Sequence, residues 1–592
     1  MRRNLFGRRG NHRGNYLPLR RHSLKFFDMC QSEAMPARTF LKKIQNGLES
    51  HPYWSLMLLT VAALAPFLAK PFNIDDPCYL WSAKQILLNP ADPYGFRVNW
   101  YGFSQSMWQV TQNPPLMSYY LALAACLFGW SEIGMHLACL VPAVAVVLGT
   151  YRLARPLCCW PGLAAAVTLF APGFLVSATT VMCDVFMLAF WIWAVIYWTE
   201  GLRENNSWKC VVAGTLMALA LLAKYNGACL VPLLLAYGYF ARPSGRRRLW
   251  FLLIPAGAFL AYQYLTFRLY GQELFSAAAA YAQNQQDSYG ISKTVAGFNA
   301  LTFTGGCFAG VLFCAPFLWR RRTLAWIAAS AGLLVTLFLA AGLMTRNYAW
   351  LNGGTRLAVE VQIIIWSAGG VCVLAMALME VWQKWDAVSW LLALWVVGML
   401  LFSAFFNWTV NVRSILPMAP AVAILMFRRL AQTRPKLPSG IKFSIIGCAI
   451  LSLLVAQADF QEANLPRTAT QSICAQYAGA PGRMWFEGHW GFQYYMQSAG
   501  AWPLDSDQLA LMPGDFLVVP EQNSNAKLIA SRMVTLDKVF TLSGLPWLAA
   551  LNINLGAGFY ASRWGPLPFA FGSIPPEKYF VYLLGRPAVS PH

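Results

Sequence analysis

The chain has 592 residues, 57% of them hydrophobic and 12% charged, against roughly 25% charged in ordinary soluble domains. Apolar runs of 16–22 residues recur along most of its length, which excludes a water-soluble core and fits a bilayer that needs about 20 apolar residues per helix. The net charge of +21 lies in short basic stretches between apolar runs, at Arg246–Arg248, Arg320–Arg322 and Arg428–Arg429, the pattern of cytoplasmic loops rather than of a nucleic-acid surface.

Residues 1–52 read as a basic cytoplasmic tail, rich in Arg and interrupted by Gly7, Gly10, Gly14 and Pro18. Met35 opens MPARTFLKKIQNGLESHPYW, which is by itself a sufficient basic lead-in and a second candidate start. The first span covers about 53–70. With the tail inside, the polar and aromatic stretch 71–115 becomes a first external loop. Within it Ser82, Gln85 and Asn89 share one helical face, as in a helix lying along the interface. Three apolar runs follow between 116 and 178, of which topology allows two to span; the run at 162–176, with Pro172-Gly173, reads as the short or re-entrant one. Runs near 182–199, 208–223, 227–241, 249–267, 297–318, 323–343, 358–380, 388–406, 413–428 and 441–458 then alternate across the membrane.

The expected fold is therefore a polytopic α-helical membrane protein of about 13 spans over 53–458, with the N-terminus inside. Residues 459–592 carry turn signals and strand-like pieces such as 516–519 and 579–584. They read as a small extracytoplasmic α/β domain. Fourteen scattered cysteines form no CxxC pair, and neither His136 nor His489 sits in a zinc pattern, so the residues point to no metal site.

This topology brings several polar groups to the outer face: Asp75 and Asp76 after the first span, Asn113 before Pro114-Pro115-Leu116, Asp184 and Lys224 at outer helix ends, and Arg413 in NVRSILP. Charges at the ends of apolar helices are costly unless paired or used. Carboxylates facing cations there suit a substrate with phosphate at one end and a hydroxyl to deprotonate. Each residue also has a plainer role: the aspartates as helix N-caps, Lys224 as a snorkelling side chain, Pro114-Pro115 as a rigid helix entry.

The ordered set resembles the protein O-mannosyltransferase and aminoarabinose-transferase superfamily, membrane glycosyltransferases of the C-type fold. The similarity lies in Asp75-Asp76-Pro77-Cys78-Tyr79 for that family's Asp-Glu pair and following Tyr, and Asn113-Pro114-Pro115-Leu116 for its Lys- or His-Pro-Pro-Leu. Asp184, Ala223-Lys224-Tyr225-Asn226-Gly227 and Arg413-Ser414-Ile415-Leu416-Pro417 match later motifs, so that the resemblance covers roughly 55–430. Two departures stand out: the Glu is Asp76 and the Lys is Asn113.

The resemblance implies transfer of a sugar, with inversion, from a polyprenyl (undecaprenyl) phosphate to a lipid, glycan or protein acceptor on the periplasmic face of a bacterial inner membrane. It implies no cofactor and no metal. It makes Asp75 the base, with Asp76 and Asp184 positioning the acceptor or a cation. Tyr79, Asn113, Lys224 and Arg413 fall to substrate binding, and Arg346 or Arg356 stands in for the missing Lys. A glycan transporter or flippase and an oligosaccharide ligase are the competing readings. The aromatic stretches around Glu487, His489 and Arg563 read either as a small aromatic core or as a carbohydrate or headgroup surface.

Overall fold

The computed structural model describes residues 50–241, 246–289, 292–348, 351, 354–508, 510–523 and 534–585. The tail reading and Met35 lie outside them, save for residues 50–52. The chain divides into a unit ending at Ser55 and a second from Leu56 onward; of the first, the described part is Ser50–Ser55, which begins helix α1 (Pro52–Leu64).

Helix α2 (Asp76–Leu88) follows α1; Ser82, expected on a polar face along the interface, is instead buried, and Leu87 and Leu88 are exposed. A short antiparallel hairpin pairs Arg97–Asn99 with Ser104–Ser106. Then come α3 (Leu116–Phe128), α4 (Glu132–Ala154), α5 (Pro161–Leu169) and α6 (Pro172–Ser177). At 13 residues α3 is about 20 Å long, short of a hydrocarbon core of about 30 Å. The run at 162–176 is broken between α5 and α6, where Pro172 opens the second piece and has no N–H to continue the first.

The bundle continues through α7 (Cys183–Arg203), α8 (Ser207–Ala223), α9 (Leu230–Ala241), α10 (Leu253–Tyr270) and the polar α11 (Leu274–Tyr289). Next are α12 (Lys293–Cys307), α13 (Gly310–Leu318), α14 (Arg321–Ala340), α15 (Gly354–Lys384), α16 (Ala387–Phe405) and α17 (Ala419–Thr433). The single run expected at 297–318 is bent by 81° between α12 and α13. Here α12 lies very close to α15: a Cβ on Gly305 would fall 1.7 Å from the Trp366 carbonyl oxygen, and one on Gly370 2.1 Å from that of Leu301. Small residues at a helix contact allow this approach.

Among the described residues eight helices are long and apolar enough to cross a membrane, or nine if α12 and α13 form one span. The chain is thus a multi-pass helical membrane protein. The expected count of 13 is not reached on length, because α1, α3, α8 and α9 are short.

The last long helix, α18 (Ile441–Gln476), has 36 residues and runs about 54 Å, well beyond the hydrocarbon core. The sequence-based boundary at 459 falls inside it. Its final turns, through Ala469 and Ile473, pack with Phe486, Phe492, Val518, Tyr579 and Val581 as the core of the C-terminal domain. That domain holds a five-stranded sheet of β1 (Met484–Phe486), β2 (Trp502–Pro503), β3 (Phe516–Pro520), β4 (Val534–Leu542) and β5 (Glu577–Leu584) in the order β2-β1-β3-β5-β4. The β2–β1 and β1–β3 pairs are parallel, and β5 is antiparallel to both β3 and β4. Helix α19 (Trp490–Ser498) follows β1.

One part of this region does not stay with the sheet. Around Phe559–Phe571 the chain packs among the membrane helices. The Val412 N–H donates to the Phe559 carbonyl at 3.0 Å, and the Ser562 N–H to that of Val410 at 2.7 Å. Gln362 on α15 bonds both the N–H and the carbonyl of Phe571. The aromatic ring of Phe569 meets Trp366.

Candidate active site

The Asp75-Asp76 doublet splits. Asp75 occupies the N-cap position of α2, yet its side chain makes no capping bond. Instead Asp75 Oδ2 accepts from Arg413 Nη1 at 2.8 Å. Asp76, one residue on in the helix, turns inward and is buried. Its two oxygens accept from the backbone N–H groups of Asn73 (3.0 Å) and Val181 (3.1 Å), which ties the start of α2 to the start of α7. Burial pushes the Asp76 carboxyl up to about 7, against the opposing pull of Lys70 and of those two donors. The residue before the doublet, Ile74, has φ of 52°, a left-handed conformation that costs a branched side chain about 1–3 kcal/mol and is held by its surroundings.

Arg413 is presented on a single helical turn, Val412–Ile415, capped by the Asn411 side chain, which accepts from the Ser414 N–H at 2.7 Å. Its guanidinium lies 5.8 Å from the centre of the Tyr560 ring. A second ion pair stands beside this one. Asp184 lies in the first turn of α7, and its Oδ1 accepts from Lys224 Nζ at 2.6 Å. Lys224 is the residue at which α8 ends, with extended backbone. The Tyr79 hydroxyl meets Cys183 Sγ at 3.0 Å.

These groups surround a cavity of about 700 Å³. Asp75, Tyr79, Asn113, Lys224 and Arg413, all singled out in the sequence, line it. Asp76 and Asp184 do not; the first acts on backbone, and the second stands behind Lys224. Arg346 is exposed on the short helix Leu343–Asn347, and Arg356 pairs with Glu360 at 2.9 Å. Neither arginine lines the cavity. Arg563, from the segment that dips among the helices, lines it instead, with its guanidinium over the rings of Trp408 and Trp564.

The wall so formed carries Lys224, Arg413 and Arg563 against one carboxylate, Asp75, among the described residues. Excess positive charge in a low-dielectric cleft favours an anion. His489 and Trp490 from the C-terminal domain also line it. Burial drives the His489 imidazole down to about 4 despite the nearby Asp75 carboxylate, so the ring is neutral at ordinary pH. Among the described residues no three His, Cys, Asp or Glu side chains converge as a metal site.

Behind the wall lies a buried polar chain that the sequence reading missed. Lys70 is hydrogen-bonded to Asp459, and Asp459 Oδ1 accepts from the Tyr560 hydroxyl at 2.8 Å. The signal for it was present: Lys70 and Asp459 are charges at the outer ends of apolar runs, the same rule that singled out Asp184 and Lys224.

Residues 112–264 match the family model described as dolichyl-phosphate-mannose-protein mannosyltransferase, the kind of family to which the motifs pointed. No curated protein sequence matches the chain. Among solved structures, an Archaeoglobus fulgidus oligosaccharyltransferase tethered to an acceptor peptide aligns at 13% identity and TM-score 0.42 over 78% of this chain. The chain spans 65% of that protein's length. ArnT from Cupriavidus metallidurans bound to undecaprenyl phosphate aligns at 14% identity and TM-score 0.40, over 79% of this chain and 92% of its own. Mycobacterial arabinofuranosyltransferase AftD aligns at 13% identity and TM-score 0.42, over 90% and 39%.

Proposed function

We propose that the chain is a membrane glycosyltransferase that moves a sugar from a polyprenyl phosphate to an acceptor hydroxyl, with Asp75 as general base. The family match over 112–264 supports the class. The observation that carries the reaction is that a carboxylate and two cations held in ion pairs line one cavity at the outer ends of α7 and α8.

The acceptor oxygen attacks the anomeric carbon, the bond from that carbon to the phosphate oxygen breaks, and the hydroxyl proton passes to Asp75. The leaving group is a phosphate that gains negative charge as the bond lengthens, and Lys224, Arg413 and Arg563 are placed to receive it. Asp184 fixes the Lys224 ammonium, and Tyr79 and Asn113 bound the sugar. Asp75 is joined to Arg413 in the resting site. An arriving phosphate competes for that guanidinium and frees the carboxylate to act as base.

The lipid part of the donor has a matching surface. Cys229, Phe402 and Phe406 line both the site and an apolar cavity of about 480 Å³ between α9 and α16, walled by Leu233, Trp395 and Met399. A polyprenyl chain is apolar along its whole length and fits such a wall.

The same reading places the site on the periplasmic side of a bacterial inner membrane. At the ends of α4, α7 and α17 remote from the site stand Arg152, Arg203, Arg428 and Arg429, the bias of a cytoplasmic face.

The test is the stereochemistry of transfer. The purified chain is given a panel of undecaprenyl-phosphate sugars with membrane extract as acceptor, and the product's anomeric configuration is read by NMR. Inversion is expected from a single displacement. Retention would rule out Asp75 acting as base in one step.

A further inference from the structure

Trp490 and Trp564 each line two cavities, and they are the residues the two have in common. On one side is the site of Asp75. On the other is a smaller cavity between the C-terminal domain and the start of the external loop. The two indoles meet edge to face with ring centres 5.2 Å apart, so they form the partition. Trp490 is held at φ of 62°. Asn523 grips the main chain of the preceding residue, donating to the His489 carbonyl at 2.7 Å and accepting from its N–H at 3.5 Å. A left-handed tryptophan fixed in this way is strain imposed by its surroundings, and its result is an indole standing between two cavities.

The second cavity has a volume of about 170 Å³. A cavity of roughly 150 Å³ holds one six-membered ring, so this one has room for a single ring. Its wall joins aromatic surface, from Trp490, Trp564 and Phe492, to the amides of Asn73, Gln522 and Asn552 and the carboxylate of Glu577. Tyr579, whose buried hydroxyl lies beside the Glu577 carboxylate, lines it as well. Flat apolar faces set against neutral and acidic acceptors match a ring that carries C–H on its faces and O–H or N–H at its rim. No lysine or arginine lines the cavity among the described residues, so a phosphate or carboxylate finds no counter-charge there. Asn73 stands two residues before Asp75, which joins the cavity to the segment that carries the base.

We propose that this cavity binds the acceptor and that the acceptor ends in a neutral or amino-bearing sugar ring. The proposal rests on the reading of the larger cavity as the transfer site. The donor occupies the cationic cavity and the acceptor ring the acidic one, and the two indoles must separate for the reacting hydroxyl to reach Asp75.

The test uses the full chain in nanodiscs saturated with undecaprenyl phosphate, with glucose, glucosamine and glucose 1-phosphate as probes in saturation-transfer NMR. Glucose and glucosamine are expected to receive saturation, and glucose 1-phosphate at least tenfold less. Glu577→Gln and Gln522→Ala should each weaken glucosamine binding at least fivefold while undecaprenyl phosphate affinity stays within twofold, which shows that the variants are folded. No transfer to either neutral or amino sugar, equal binding by both variants, or a preference for glucose 1-phosphate would overturn the proposal. Failure of undecaprenyl phosphate to bind counts against the donor reading alone, and the sugar arm is then read without it.

Discussion

Asp75 and Asp76 are chemically alike and adjacent, and the fold gives them different work. Asp75 faces a cavity and an arginine; Asp76 holds two backbone N–H groups out of solvent. Asp76 is protonated in the folded chain at pH values where an unfolded aspartate, with its usual value of 3.8, is already ionised. The folded state therefore binds more protons between about 4 and 7, and stability falls as pH rises through that window. Thermal unfolding in detergent should show the melting temperature falling from pH 5 to pH 8, with a flatter profile for Asp76→Asn.

The Lys70–Asp459 pair behaves differently, since both side chains are 1% exposed. Lys70→Met leaves a buried carboxylate without its cation and should cost about 3–5 kcal/mol. Adding Asp459→Asn, which keeps an acceptor for Tyr560, should restore most of it in the same melting experiment. At the cavity itself, Lys224→Met should lower kcat by about 10²–10³, the usual loss when one group facing developing charge is removed. Arg563→Met should weaken undecaprenyl phosphate binding, read by ligand titration, whereas Arg346→Met and Arg356→Met should not, because only Arg563 lines the cavity.

At the scale of elements, the periodicity of apolar runs was a good guide to helices and a poor one to how they bend. The break at Pro172 was legible because it rests on local chemistry, a missing N–H, whereas the polar face read into α2 was not kept, since Ser82 is buried there and Leu88 exposed. The 81° bend between α12 and α13 had no such local mark, and beside it α12 meets α15, far away in sequence. Gly305 tests that contact. Gly305→Ala forces a Cβ against the Trp366 carbonyl and should destabilise by at least the 1–3 kcal/mol of an overpacked core. Gly332→Ala in α14, where nothing lies within 4 Å of the new Cβ, should leave the melting temperature unchanged or raised.

For the whole molecule, the instructive residues are those the sequence did not place. Asp184, Lys224 and Arg413 could be read because a charge at the end of an apolar run is conspicuous by itself. His489, Trp490 and Arg563 were read only as parts of aromatic stretches forming either a small core or a carbohydrate or headgroup surface, and Tyr560 had no mark, because in a polar region charge and aromaticity are ordinary. They reach the site because α18 runs beyond the thickness of a hydrocarbon core into the C-terminal domain and the chain then folds back among the helices. Arg346 and Arg356 show the converse, since their loop satisfied the sequence pattern and their side chains lie elsewhere. The helical scaffold was therefore legible from local pattern, whereas the wall of the site supplied by the last 130 or so residues depends on long-range return of the chain.

The measurement that bears most directly on this account is transfer of radiolabelled sugar from a panel of undecaprenyl-phosphate sugars to membrane extract, by the wild-type chain and by Asp75→Asn, with undecaprenyl phosphate binding measured on both. The account predicts that one donor is used by the wild type, and that Asp75→Asn binds the lipid phosphate but moves at most about a thousandth of the label. Equal transfer by the two proteins would contradict it by removing Asp75 from the chemistry.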